Sequence, residues 1–304
     1  MPFPQEVDAG SLGRKPFARL FGHLQGKCAT RIVEGKNVGV IIGAGKQEML
    51  LEPPWTNTAG SLGFSDEARR WIEFENMGAF ITAPISYWPR SPARPPRAIP
   101  HHGDLLLHTG LPNTGFNAVL RAHQRRWAKL PCPTIVHLLG EDPGEMSEMV
   151  EQLEGLENIV AVEVGLGDQE LDLAVDIVTA AACGELPILA HIPMHRPTEI
   201  ASALVEAGAS ALSLAAPRGA QRTADGSLQS GRLYGPGILP HALGAILRFS
   251  QAAHCPILGS GGLYAPDHAA AMFDAGASAV QLDTVLWTQP KILPAMLKEF
   301  RNMA

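Results

Sequence analysis

The stretch that most restricts the fold is Cys255-Pro-Ile-Leu-Gly-Ser-Gly-Gly-Leu-Tyr-Ala-Pro-Asp-His-Ala269, resumed at Ala275-Gly-Ala-Ser-Ala-Val-Gln-Leu-Asp-Thr284. A short apolar strand runs into Gly259-Ser260-Gly261-Gly262, a helical pattern follows, and a second apolar strand ends at a polar tip. Two successive strand-helix units of this kind are where a (β/α)8 barrel grips a phosphate, on loop amides and a helix N-terminus. Glycine matters there because only a residue without Cβ lets backbone N–H groups close on an anion. A tight strand-to-helix turn with no ligand is the alternative reading of the same glycines.

From Leu50 onward, apolar strand-like runs alternate with helix-like stretches, the pattern of a parallel sheet. Strands are expected to end near Thr58, Thr82, Leu138, Val164, His191, Leu214, Ser260 and Asp283. Helices are expected over Asp66–Met77, Gly115–Lys129, Gly144–Leu156, Glu170–Cys183, Glu199–Ala207, His241–Ala253, Asp267–Ala275 and Lys291–Arg301, with Ser65 and Thr198 as N-caps. Eight such units predict an α/β chain with a single (β/α)8, or TIM, barrel over residues 50–304. Residues 1–49 form an N-terminal extension. Its Asn37–Leu51 part reads as a β-hairpin, and Phe17–Leu24 reads as a short amphipathic helix packed beneath the barrel. Two connections, Ala83–Asn113 and Ala215–Gly237, are too long for ordinary loops and leave the catalytic ends of strands, so they are candidate lids.

Composition excludes several classes. Net charge −6 without a Lys/Arg run argues against nucleic acid, and Arg121, Arg125, Arg126 and Lys129 fall at helical spacing as a solvated face. Cys28, Cys132, Cys183 and Cys255 stand far apart with no CxxC, which argues against a cluster or zinc site and fits a reducing, cytoplasmic compartment. No apolar run reaches the ~18 residues of a membrane span, and no signal peptide is evident. Gly43-Ala-Gly-Lys-Gln lacks the full phosphate-loop pattern and reads as a turn.

With these blocks in view, the chain resembles the dihydroorotate dehydrogenase family of FMN-dependent oxidoreductases from about Val38 to Gln289. The matching residues are Pro54-Trp-Thr-Asn-Thr-Ala-Gly60, Gly78-Ala-Phe-Ile-Thr82, Gly110-Leu-Pro-Asn-Thr-Gly115, Ala207-Gly-Ala-Ser-Ala-Leu-Ser213, Gly231-Arg-Leu-Tyr-Gly-Pro236 with Pro240, and the glycine-rich segment. The resemblance implies FMN as cofactor, its phosphate on the amides of Gly261, Gly262 and Thr284, with Asp283 alongside. It places Ala59 and Gly60 at the flavin ring, and His137, His191 and Gly235 among the cofactor contacts. It further implies a small-molecule substrate oxidised by hydride transfer to the flavin, and either a homo-oligomer or an electron-acceptor partner.

The residues that carry the family's chemistry are replaced. Ala83 stands where the family has a lysine, Leu107 where it has an orotate-binding asparagine, Gly165-Leu-Gly-Asp-Gln-Glu170 where it has the asparagine and Cys or Ser general base, and His191 where it has a second lysine. Dihydroorotate is therefore not the expected substrate, since its carboxylate and amides would go unpaired. Asp168 falls at the base position and is a candidate catalytic base, with helix capping near Glu170 as the competing role. His191, with His195 and His137, is a further catalytic candidate, against purely structural roles. No metal site is expected, because Pro193 breaks helical spacing between His191 and His195. Asp283 is repulsive to a phosphate unless strand alternation turns its side chain away, with Arg218 and Arg222 available to compensate. Two other readings stay open: a redox-inactive barrel serving as a binding or partner subunit, and a lyase or isomerase of a phosphorylated substrate.

Overall fold

A computed structural model describes residues 29–34, 38–44 and 47–302. The expected helix at Phe17–Leu24 lies outside them. Strands β1 (Ala29–Glu34), β2 (Val38–Ala44) and β3 (Gln47–Leu51) form an antiparallel sheet in that order, so the expected hairpin is present with an added strand.

The barrel strands follow: β4 (Trp55–Asn57), β5 (Phe80–Ile81), then, after β6 (Ala98–His101) and β7 (Asp104–Leu107), β8 (Thr134–Leu139), β9 (Ile159–Gly165), β10 (Ile188–Pro193) and β11 (Ala211–Ala215). Beyond β12 (Arg218–Arg222) and β13 (Leu228–Tyr234) come β14 (Ile257–Ser260) and β15 (Ala279–Leu282). Among the described residues, eight parallel strands pair in the order β4-β15-β14-β11-β10-β9-β8-β5, and a parallel bridge from Thr56 to Ala79 closes the ring. This is the (β/α)8 barrel the alternation predicts.

Helices α1 (Phe116–Trp127), α2 (Pro143–Leu153), α3 (Leu171–Ala181), α4 (Glu199–Glu206), α5 (Leu239–Ala252) and α6 (Pro266–Asp274) cover the outside. A four-residue α7 (Val285–Thr288) and α8 (Leu293–Asn302) end the chain. Arg121, Arg125 and Arg126 are exposed on α1 and Lys129 is exposed just beyond its end, so the basic cluster is a solvated face as expected. The expected helix at Asp66–Met77 does not form. Bonds such as Arg69 N to Asp66 O and Trp71 N to Ala68 O make turns, Glu67 folds back onto the Ser65 N–H at 2.6 Å, and Phe74–Asn76 is a 3-10 turn. Burial of Ala68, Ile72, Phe74 and Met77 does not keep one helical face, so packing overrides the local pattern.

Period-two alternation sorts the barrel interior into layers. Ile81, Ile135, Ala161, Leu189, Ala211, Leu258 and Ala279 pack with Val40, Ile42, Met49 and Leu51 in one apolar cluster, so the N-terminal sheet stoppers the bottom of the barrel. Two residues further along, the same inward face carries His137, Glu163, His191, Ser213, Ser260 and Gln281.

The two long connections join. In the antiparallel order β12-β13-β7-β6, Arg232 pairs with Leu107 and Tyr234 with Leu105, making one sheet across the barrel mouth. Gly231 permits the approach, since a Cβ there would lie 2.4 Å from Leu107 O.

Candidate active site

Beneath that sheet, at the C-terminal ends of the strands, a cavity of about 270 Å³ is lined by His137, Gly165, Asp168, His191, Arg218, Arg232, Tyr234, Ser260 and Asp283. It adjoins a second of about 550 Å³ bordered by Ala59, Gly60, Leu107, Thr284 and Trp287, and the two share Thr58, Arg232, Tyr234 and Asp283.

The floor is a buried polar network. Glu163 is fully buried, and His137 Nδ1 lies 2.6 Å from its Oε2. Gln281 Nε2 donates to Oε1 at 3.1 Å, and Ser213 adds a hydrogen bond. His191 Nδ1 lies 3.0 Å from Ser213 Oγ and 3.7 Å from Glu163 Oε1. Burial opposes the Glu163 charge, but His191, His137 and Ser213 outweigh it and hold the carboxyl below its ordinary range. Burial lowers the pKa of His191 in turn, so its imidazole is neutral at pH 7.

The rim is charged. Asp168 pairs with Arg218 Nε at 2.8 Å and His195 Nε2 at 3.1 Å. It does not cap α3, whose N-cap is Glu170 with no side-chain cap bond. Arg90, in the connection that leads into β6, bonds Glu141 at 2.5 Å, so strand β12 and that connection are each tied to a barrel loop. Arg232 opens into both cavities; among the described residues its hydrogen bond goes to Ala216 O at 2.9 Å, leaving donors for a ligand. Burial lowers its pKa without threatening its charge at pH 7.

The family model described as dihydroorotate dehydrogenase matches residues 47–167 and 200–303, most of the barrel. The chain belongs to the dihydroorotate dehydrogenase family. Relatives named dihydroorotate dehydrogenase B (NAD(+)), catalytic subunit, include that of Trichlorobacter lovleyi, 27% identical over 79% of this chain and 86% of the relative. The protein of Pelobacter propionicus is 28% identical over 79% of this chain and 86% of its own length, and that of Desulforudis audaxviator 27% over 84% and 89%.

Against this family background, the phosphate grip can be tested on its own atoms. Asp283 does not turn away: its side chain is 2% exposed and accepts the Thr284 hydroxyl at 3.2 Å. Burial pushes its pKa up to about 6, while the Thr284 hydroxyl and the backbone N–H groups of Thr284, Val285 and Gly262 hydrogen-bond the carboxyl and resist the shift. Neither expected counter-charge reaches it, because Arg218 is engaged by Asp168 and Arg222 Nε bonds Gly226 O. The glycines have a packing reason as well. A Cβ on Gly262, at φ +75°, would lie 2.3 Å from Leu239 N at the head of α5, and one on Gly261 would lie 3.1 Å from Ile238 and Met194. So arranged, these residues do not fit the phosphate of FMN: an internal carboxylate occupies amides that the phosphate needs.

Gly235 turns the chain after β13, where a Cβ would lie 2.3 Å from the Asp104 carboxylate. Sequence reading missed Glu163, Ser213, Gln281 and Arg232. Their signal is parity: each of the first three lies two residues beyond an inward Ala161, Ala211 or Ala279, so a polar residue there faces the barrel axis.

Proposed function

We propose that this chain binds a small carboxylate-bearing molecule at the barrel mouth and transfers protons there, without holding FMN in the manner of its family. The observation that carries this reading is Arg232, partly buried over the His137–Glu163–His191 floor with guanidinium donors facing the cavity. A planar guanidinium binds a carboxylate through two parallel hydrogen bonds. Below it, the neutral His191 imidazole and the His137 ring supply groups that accept or return a proton. The rim pair Asp168–Arg218 orients polar groups of the same ligand or exchanges partners with it. Dihydroorotate is a poor match, since Ala83, Leu107 and Gly165 offer none of the contacts of the residues they replace.

A second reading, favoured by family membership and by the 550 Å³ space beside Ala59, Gly60 and Thr284, is a flavin-dependent oxidoreductase with an altered small-molecule substrate and a separate electron acceptor. Flavin titration separates the two. The purified protein is expected to be colourless and to leave FMN fluorescence unquenched, whereas Asp283→Gly, which frees the amides, gains measurable FMN binding. A wild-type protein that purifies yellow with stoichiometric FMN returns the chain to the flavin-dependent reading.

A further inference from the structure

We infer that His137 is the proton acceptor of this cavity and that Glu163 is the positioning residue that aims it. The inference deepens the proton-transfer reading above, and its test needs no ligand. Hydrogen-bond polarity fixes which atoms of the floor donate to Glu163. A carboxylate only accepts, so His137 donates from Nδ1 at 2.6 Å, Gln281 donates from Nε2 at 3.1 Å, and Ser213 donates its hydroxyl. The Ser213 oxygen then accepts from His191 Nδ1 at 3.0 Å. Both imidazoles therefore carry hydrogen on Nδ1, which turns their Nε2 atoms away from Glu163.

What lies beyond His137 Nε2 is Gly165. A Cβ at that position would sit 2.7 Å from Nε2, so the glycine that replaces the family's asparagine clears the approach from the cavity to this nitrogen. The opposing charge is locked: Glu163 is 0% exposed and His137 only 3%. When Nε2 takes a proton from an acidic C–H, N–H or O–H of a bound molecule, the ligand keeps the bonding electron pair. The imidazolium then holds hydrogen on both nitrogens, with its charge 2.6 Å from the Glu163 carboxylate. The same proton returns from Nε2 on reversal. His191 sits edge-on to His137, ring centroids 5.2 Å apart, and its neutrality spares the imidazolium a like-charge neighbour.

Two measurements on the intact chain test this. Long-range nitrogen-proton spectra of the ring-labelled protein at neutral pH should show His137 protonated at Nδ1 and bare at Nε2. Carbethoxylation by diethylpyrocarbonate, in which Nε2 attacks the carbonyl and ethyl carbonate leaves, should modify His137 as read by peptide mass spectrometry. Glu163→Gln, which removes the charge but keeps the shape, should slow that modification ~10-fold. Gly165→Ala should slow it by roughly tenfold or more by covering the nitrogen while leaving Glu163 in place. A His137 protonated at Nε2 in the unmutated protein overturns the inference, whatever the variants do. So does an unchanged rate in a folded Gly165→Ala. A carboxylate screen that finds no ligand defeats the Arg232 reading and leaves this result untouched.

Discussion

Arg232 sits on a strand of the covering sheet, yet its guanidinium belongs electrostatically to the barrel, within the influence of Tyr234, Arg218 and Asp168. A cation held there above the neutral His191 selects anionic ligands, and a hydrogen bond to a charged group contributes about 1.5–3 kcal/mol. A screen of small mono- and dicarboxylates by thermal shift should therefore find ligands that raise Tm. Arg232→Leu should weaken the best of them by roughly 10- to 150-fold in titration calorimetry, the same energy expressed as affinity. Affinity that survives the leucine would remove Arg232 from the site. Asp168 is the contrasting case: Arg218 and His195 occupy it at the rim, and the helix it was a candidate to cap starts without it.

At the scale of elements, the covering sheet is the least expected feature, because its strands come from loops more than 100 residues apart in the chain. Its closure depends on Gly231, where any side chain collides with Leu107 O and Leu106. Gly231→Val should separate β13 from β7 and cost about 1–3 kcal/mol in urea unfolding. It should also loosen ligand binding, since Arg232 adjoins the break. Unchanged stability with an intact far-ultraviolet spectrum would mean that the strands pair without this close approach. The bottom sheet works by apolar burial instead, with Val40, Ile42, Met49 and Leu51 against the first interior layer.

For the whole molecule, two buried carboxyls tie stability to pH with opposite signs. Glu163, held below its ordinary range, adds stability that is complete above its unfolded pKa and is lost as pH falls through the folded value. Asp283 behaves the other way. Raised from 3.8 to about 6, it binds its proton more tightly in the fold, so stability falls as pH rises from about 4 to 6 and the full cost remains above that. The shift corresponds to about 3 kcal/mol. Asp283→Asn should therefore gain stability over wild type progressively across that window, by urea unfolding at pH 4, 5 and 7. A constant difference between the two proteins across the same range would show that Asp283 titrates normally.

Local rules were enough for the architecture. Apolar runs with β-branched residues, glycine turns and helical spacing are short-range properties, so the eight strand ends, the order of the βα units and the hairpin at Val38–Leu51 were legible from residues near one another in the chain. Family membership was legible too, in the glycine-rich blocks. The helix expected at Asp66–Met77 failed because burial of nonperiodic apolar residues outweighed propensity, a balance struck with distant strands. The site was legible only as a set of strand-end candidates. That Asp283 folds onto the amides of the neighbouring loop, that Arg232 reaches the cavity from a covering sheet, and that Glu163 gathers Gln281 from 118 residues away depend on which residues closure of the barrel brings face to face. Electrostatic and hydrogen-bond partnerships act through space, and only the tertiary fold sets those distances.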